Sequence, residues 1–246
     1  MRPPRALLFD LDDTLLDPRE LQRAVLQTCT ALAAAEGLDA PRLLEANAEV
    51  WRTYWPEAER KWMLGILDGA TVSLQVWQRT LSACGCLDES IARSAVEAHS
   101  AYTREAYRLY EDALELLVWL SGRLALGLIT NGAGDTQREK LLWFGLERYF
   151  DVIAISGEIG AAKPDAELFR FALDKLAISP EDAWYVGDNL YSDVAGAKAA
   201  QLTAVWLNRN GAQRNAGDPE PDLEVVSLMD LLTVVAGMQE QRERTS

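Results

Sequence analysis

The segment LLFDLDDTLLD, residues 7–17, brings several carboxylates together directly after an apolar run. Asp10, Asp12 and Asp13 follow the apolar residues 7–9 within a few positions. Like charges at this spacing repel, and each carboxylate loses hydration if it is buried. The arrangement destabilises a fold unless a positive group lies among the carboxylates, so the segment predicts a site that holds a cation.

The elements that must position this segment alternate along most of the chain. Five short apolar runs without polar alternation are typical of strands covered on both faces, and ten-residue helical patterns lie between most of them. The strands are predicted at residues 5–9, 124–129, 151–155, 183–186 and 203–207. The helices are predicted at residues 112–121, 135–144, 166–176, 192–201 and 227–238. This alternation predicts an α/β fold with a parallel sheet and helices on both faces.

Residues 18–107 interrupt the alternation with helical patterns only. Helices are expected at residues 20–36, 41–62, 72–84 and 88–107, and the tryptophans of this region are interpreted mainly as packing. We therefore predict a discontinuous α/β core domain, residues 1–17 and 108–246, with a helical domain of residues 18–107 inserted into it. A polar loop is expected at residues 208–221, and a frayed tail at residues 239–246.

Polar side chains follow four of the predicted strands, where each strand ends. In a parallel α/β sheet, ligands bind at the carboxyl ends of the strands. An aspartate after a single strand is more often a turn or cap residue, but four strand ends in order are strong evidence for one site. The residues expected to converge are Asp10, Asp12, Thr14, Thr130, Asn131, Lys163, Asp188 and Asp193.

The order of these motifs resembles one known family. D-x-D-x-T at residues 10–14, T-N-G at residues 130–132, Lys163-Pro164, and G-D-x-x-x-x-D at residues 187–193 resemble the haloacid dehalogenase-like (HAD) hydrolase superfamily. The resemblance covers nearly the whole chain. It implies a Rossmann-like core and the subclass whose helical cap lies between the first and second motifs.

The resemblance also implies catalytic roles. Asp10 would attack phosphorus as the nucleophile and form an aspartyl-phosphate, and Asp12 would be the general acid and then the general base. Lys163 would neutralise the phosphoryl group and hold Asp10 in place. Asp13 would point away from the site.

The remaining residues are implied to hold the phosphate and a metal ion. Thr14, Thr130 and the amides around Asn131, with Lys163, would bind phosphate oxygens. Asp10, the backbone carbonyl of Asp12 and Asp188 form an oxygen donor set that suits Mg²⁺. We expect Asp193 to support this set from behind.

The predicted function is therefore that of a Mg²⁺-dependent phosphatase acting on a small phosphomonoester of the nucleotide or sugar phosphate type. Dehalogenases of the same superfamily lack the second aspartate, which is present here as Asp12. Two alternatives stay open at this point. One is a phosphomutase or phosphotransferase of the same fold, and the other is a non-catalytic phosphate-binding relative.

Charge and composition limit the partners. The net charge of −14 disfavours a nucleic acid polymer as ligand, because a phosphate backbone needs a basic surface. No apolar stretch of membrane-spanning length and no signal peptide are recognised, so no membrane partner and a cytoplasmic location are expected. The three cysteines are interpreted as free thiols. The sequence leaves the oligomeric state open between a monomer and a homodimer.

Overall fold

The computed structural model describes residues 1–245 as eight strands, ten α-helices and short turns. The strands are β1 Ala6–Phe9, β2 Leu16–Asp17, β3 Arg108–Leu109, β4 Ala125–Thr130, β5 Val152–Ile155, β6 Ala183–Gly187, β7 Thr203–Leu207 and β8 Leu223–Val225. The helices are α1 Leu21–Glu36, α2 Ala40–Met63, α3 Gly69–Ala83, α4 Glu89–Ala106, α5 Glu111–Leu120, α6 Gly134–Phe144, α7 Ser156–Ile159, α8 Ala166–Leu176, α9 Ala195–Ala199 and α10 Leu228–Thr245.

Six parallel strands form the main sheet in the order β5-β4-β1-β6-β7-β8. The first strand lies between β4 and β6, so the chain fills one half of the sheet and then crosses to the other half. A crevice forms at the carboxyl ends of the strands where the order reverses in this way. The segment that follows β1 therefore lies at the centre of that edge.

Apolar layers cover both faces of the sheet. Successive side chains of a strand point to opposite faces, so Leu7 and Phe9 pack on the side of α5 and α10, whereas Ala6 and Leu8 pack on the side of α8 and α9. Because both faces are buried, the strands read as continuous apolar runs rather than as alternating ones. This confirms the predicted α/β architecture.

The helices α1–α4, called here the helical insertion, pack on one another around two apolar clusters of their own. Trp77 and Cys29 belong to the first cluster, and Trp55 and Trp62 pack against the second. The insertion leaves and rejoins the core through the short antiparallel pair β2–β3. These features support the proposed division into residues 1–17 with 108–246 and residues 18–107, which stays a prediction.

Most element boundaries lie within three residues of the predicted ones, and the polar loop between β7 and β8 is present. The expected tail is wrong, because α10 continues through Thr245, and Ser246 lies outside the described residues. The expected helix over residues 192–201 consists of a π-helical turn, Leu190–Val194, followed by α9. Strands β2, β3 and β8 were not predicted, since two or three residues are too few to show a period.

Among the residues that the structure describes, none of the helices combines the length and apolar character needed to cross a bilayer.

Candidate active site

Lys163 lies at the centre of a buried charge cluster at the carboxyl edge of the sheet. Its ammonium donates to Asp10 Oδ1 at 2.5 Å, Asp193 Oδ1 at 2.7 Å and the Tyr185 hydroxyl at 2.9 Å. Lys163, Asp10 and Asp193 are at most 7% exposed. One buried cation thus faces two buried carboxylates, and each of its three protons has an acceptor.

The carboxylates outnumber the cation, and the pKa values reflect this. Burial raises the pKa of Asp10 to about 7, and Lys163 opposes that shift while Asp193 and Asp12 add to it. Burial also raises the pKa of Asp188 to about 8, with Asp10 and Asp193 adding to the shift. The pKa of Lys163 is raised: burial would lower it, but the negative charges of Asp10 and Asp193 outweigh that effect. The cluster therefore sets three carboxyl groups against one cation, and protons on Asp10 and Asp188 relieve part of this excess of acidic charge at neutral pH.

This charge fits a metal ion. One carboxylate oxygen each of Asp10, Asp188 and Asp193 lie within 4.8 Å of one another. Such a set of hard oxygen donors suits Mg²⁺, and a divalent cation would oppose the burial and the repulsion that raise the two pKa values. Asp188 is held in place through its backbone, because its carbonyl accepts a hydrogen bond from Trp206 Nε1 at 2.8 Å.

The residues expected to bind phosphate surround the same point. The Thr14 hydroxyl, which is fully buried, lies 3.5 Å from Asp10 Oδ2. Asn131 uses its side chain to fix Lys163, since Nδ2 donates to the Lys163 carbonyl at 3.0 Å and Oδ1 accepts from the Lys163 amide at 2.8 Å. The Thr130 hydroxyl accepts from Gln137 Nε2 at 2.6 Å. The structure therefore brings Thr14 and Asn131 into contact with Asp10 and Lys163, and it links Thr130 to Asp12 through Gln137, while the roles of these residues stay predictions.

The Asp12 carboxylate is turned toward helix α6 rather than toward the Asp10 cluster. Lys140 Nζ lies 2.9 and 2.8 Å from its two oxygens, and Gln137 Nε2 donates to Oδ2 at 3.1 Å. Burial would raise the pKa of Asp12, but the charge of Lys140 and the hydrogen bonds from Lys140 and Gln137 lower it overall. Asp13 has a φ of 60° and is exposed, as expected for a residue outside the site.

The helical insertion approaches the site at the turn after β4. Gly132 has a φ of 149°, and a Cβ there would lie 2.7 Å from the Trp62 ring, so only glycine fits beneath this indole. Ser156 Oγ accepts from the Gly132 amide at 2.8 Å and donates to the Met63 carbonyl at 2.6 Å. Trp62 is thereby held against the turn that carries Asn131.

Comparison with known proteins agrees with this geometry. A family model described as haloacid dehalogenase-like hydrolase matches residues 4–201. This chain belongs to the haloacid dehalogenase-like hydrolase family.

Two curated relatives and one solved structure show how far the similarity extends. Phosphoserine phosphatase of Thermus thermophilus is 37% identical over 94% of this chain and 99% of its own length. Glyceraldehyde 3-phosphate phosphatase of Methanopyrus kandleri is 31% identical over 94% of this chain and 97% of its own length. The crystal structure of 2-haloacid dehalogenase from Pseudomonas syringae pv. Tomato DC3000 superposes with a TM-score of 0.71 at 26% identity, covering 95% of this chain and 98% of that one.

Four residues of this haloacid dehalogenase-like hydrolase that contact the site were not found from the sequence. Tyr185 lies inside strand β6, Tyr107 lies between α4 and β3, and Gln137 and Lys140 lie on helix α6, where they resemble ordinary residues of these segments. One signal was present. Gln137 and Lys140 are three residues apart on the helix that follows T-N-G, so they share a face, and that face packs toward β1.

Proposed function

We propose that this chain is a Mg²⁺-dependent phosphatase that hydrolyses a small phosphomonoester of the nucleotide or sugar phosphate type through an aspartyl-phosphate on Asp10. The chain is a phosphoric monoester hydrolase by its family and by its phosphatase-named relatives. The observation that carries the finer proposal is the buried contact of Lys163 with both Asp10 and Asp193 beside Asp188. It supplies a nucleophile, a cation and a metal-binding carboxylate at one point.

The first half of the reaction forms the intermediate. The Asp10 carboxylate attacks phosphorus and the bond from phosphorus to the ester oxygen breaks. Burial would raise the pKa of Asp12 but Lys140 holds it low, so Asp12 must first take up a proton from water, and it gives this proton to the leaving oxygen. Lys163 and the hydroxyl groups of Thr14 and Thr130 are the proposed partners of the phosphoryl oxygens. Donors placed in advance stabilise charge in the transition state because they need no reorganisation.

The second half releases phosphate. Asp12, now a carboxylate, takes a proton from water as the water oxygen attacks phosphorus, and Asp10 leaves as a carboxylate. Asp10, Asp188 and the Asp12 backbone carbonyl would hold Mg²⁺, with Asp193 supporting them. A divalent cation bound there neutralises phosphoryl oxygens and lowers the repulsion between Asp10 and the substrate.

The helical insertion is proposed to be the cap that covers the substrate. The contacts of Trp62 and Met63 with the turn after β4 place one edge of the insertion beside the proposed phosphate-binding residues. Closing a site in this way excludes water and strengthens electrostatic contacts.

The test is phosphate release from a panel of phosphomonoesters with and without Mg²⁺. The panel holds p-nitrophenyl phosphate, nucleoside monophosphates, sugar phosphates and phosphoserine. We expect release only with Mg²⁺, with one compound favoured, and a loss of roughly 10⁴-fold or more in Asp10→Asn, which keeps the shape of the side chain. No release from folded protein over the whole panel, or Mg²⁺-dependent turnover by Asp10→Asn, would overturn the proposal.

A further inference from the structure

Helix α6 and Tyr107, which lies between α4 and β3, contact the Asp12 carboxylate on three sides. Lys140 contacts both oxygens, Gln137 contacts Oδ2, and the Tyr107 hydroxyl lies 3.5 Å from Oδ1. Lys140 is 6% exposed and Gln137 is fully buried. The Asp12 side chain keeps 32% of its surface, so one edge of the carboxylate stays open.

Gln137 adds a second link. Its Nε2 donates both to Asp12 and to the hydroxyl of Thr130, which follows the neighbouring strand β4. Its Oε1 is buried without a hydrogen-bond partner in the described part of the chain. A buried carbonyl without a partner costs on the order of 1–3 kcal/mol, so the amide is oriented by its two donor contacts at the expense of its acceptor.

We infer that Gln137 and Lys140 are positioning residues that fix the proton-transferring carboxyl group of Asp12 relative to the bound phosphoryl group. The inference rests on the proposed function, because it assumes that Asp12 is the general acid. An aspartate side chain turns freely about two bonds, and general acid catalysis requires its oxygen within hydrogen-bond distance of the leaving oxygen. Two buried donors on one helix remove that freedom. Gln137 also connects the Asp12 carboxyl group to the hydroxyl of Thr130, because its Nε2 donates to both.

The test uses the dependence of the rate on the leaving group. Departure of an alkoxide requires a proton, whereas p-nitrophenolate leaves as a stable anion. The kinetic constant kcat/KM covers the steps up to leaving-group departure. For Lys140→Met we expect kcat/KM to fall roughly 10–100-fold with an alkyl phosphate and less than about threefold with p-nitrophenyl phosphate. The first loss is part of the rate enhancement of roughly 10²–10⁴-fold that general acid catalysis typically provides.

Three further variants make the result specific. Lys140→Arg, which keeps the charge, should restore part of the alkyl phosphate rate. Gln137→Met, which keeps the volume, should show the same selectivity as Lys140→Met and is an independent variant should Lys140→Met not fold. Lys198→Met is the matched control. Lys198 Nζ lies 2.6 Å from Asp222 Oδ1, and this ion pair does not belong to the site, so the substitution should change neither rate.

Asp12→Asn separates this inference from the proposed function. Residues that act through Asp12 should lose nothing further when combined with Asp12→Asn, so the double variant Asp12→Asn/Lys140→Met should equal Asp12→Asn. Equal loss on both substrates, or additive loss in the double variant, would overturn the positioning role while leaving the phosphatase intact. If Asp12→Asn lowers kcat/KM equally for the alkyl phosphate and for p-nitrophenyl phosphate, Asp12 is not the general acid and the proposed function itself is wrong.

Discussion

At the scale of single residues, Asp188 is the carboxylate whose charge the folded chain compensates least. Lys163 contacts Asp10 and Asp193 directly. Burial and the neighbouring carboxylates raise the pKa of Asp188, and Lys163 opposes this shift only in part. Adding a divalent cation or removing the Asp188 charge should therefore stabilise the fold, and the effect should depend on pH.

The metal-free protein should lose stability as pH rises. The pKa values of Asp10 and Asp188 are about 7 and about 8 in the folded chain, against an ordinary value of 3.8. Between these limits the folded state binds more protons than the unfolded state, so the free energy of unfolding falls with rising pH and levels off above pH 8. The two pKa values together correspond to about 5 kcal/mol between pH 5.5 and 8.5, so we expect the melting temperature to drop by roughly 10–20 °C over that range.

Two controls assign that slope to the site. Saturating Mg²⁺ should raise the melting temperature more at pH 8.5 than at pH 5.5, because the ligands are then ionised. Asp188→Asn should melt higher than the unmodified chain at pH 8.5 without metal and lose most of the Mg²⁺ effect. If the melting temperature fell equally with pH in the unmodified chain and in Asp188→Asn, the pH dependence could not be assigned to the charge of Asp188.

Residues that follow strands directly could be predicted from the sequence, and residues that reach the site from elsewhere could not. Asp10, Lys163 and Asp188 lie in short motifs whose spacing survives in any fold with that strand order. Lys140 contacts Asp12 although the two residues are 128 positions apart in the sequence. This contact exists only once β1 and β4 are neighbours. The sequence shows that Gln137 and Lys140 share a helix face, but it contains no signal that pairs this face with Asp12.

At the scale of elements, the core and the helical insertion share one helix terminus. Asp135 at the start of α6 accepts hydrogen bonds from the amides of Gly69 at 2.9 Å and Ala70 at 3.1 Å in the first turn of α3. Asp68 caps the same helix from within the insertion by accepting from the Thr71 amide at 2.7 Å. Two aspartates thus satisfy neighbouring amides of one helix, and only one of them connects the two parts of the molecule.

This pair permits a controlled substitution. Asp135→Ala removes a contact between core and insertion, so the Trp62 edge should dock less firmly, and KM should rise roughly 3–10-fold with little change in kcat. Asp68→Ala removes a cap of comparable strength, worth about 1 kcal/mol, without touching the core, and should leave KM unchanged. Steady-state kinetics with thermal melting of both variants gives the comparison, and equal KM values in the two would contradict the docking role.

The long elements followed from their apolar pattern, and the short ones did not. Helices of ten or more residues display a period and strands of four or more form a continuous apolar run, whereas β2, β3 and β8 are two or three residues long. The order of the strands also could not be read, because runs buried on both faces look alike. The neighbours of β1 are fixed only by packing in the folded chain.

At the scale of the whole molecule, the net charge of −14 acts on substrate and metal in opposite directions. A negative field repels an anionic phosphomonoester and attracts Mg²⁺, and salt screens both effects over a Debye length of about 8–10 Å at physiological ionic strength. Raising NaCl from low concentration to a physiological one should lower KM for the substrate about two- to fivefold at saturating Mg²⁺. It should raise the apparent Kd of Mg²⁺.

The opposite signs distinguish this effect from general salt inhibition. Titrations of Mg²⁺ and of substrate at each salt concentration provide both constants from one preparation. A rise of both constants with salt would mean that a local positive field at the site, rather than the net charge, governs approach of the substrate.

Trapping the phosphoryl group on the protein tests most directly whether Asp10 carries it. The protein is mixed with Mg²⁺ and the favoured phosphomonoester, quenched in acid within one turnover, digested and analysed by mass spectrometry. We expect one added phosphoryl group on the peptide that contains Asp10, and none in Asp10→Asn. With p-nitrophenyl phosphate, whose leaving group needs no general acid, we expect a larger amount in Asp12→Asn, because water is not activated there. Turnover in which no phosphoryl group is found on that peptide in either active protein, or in which it is found on another residue, would contradict the account.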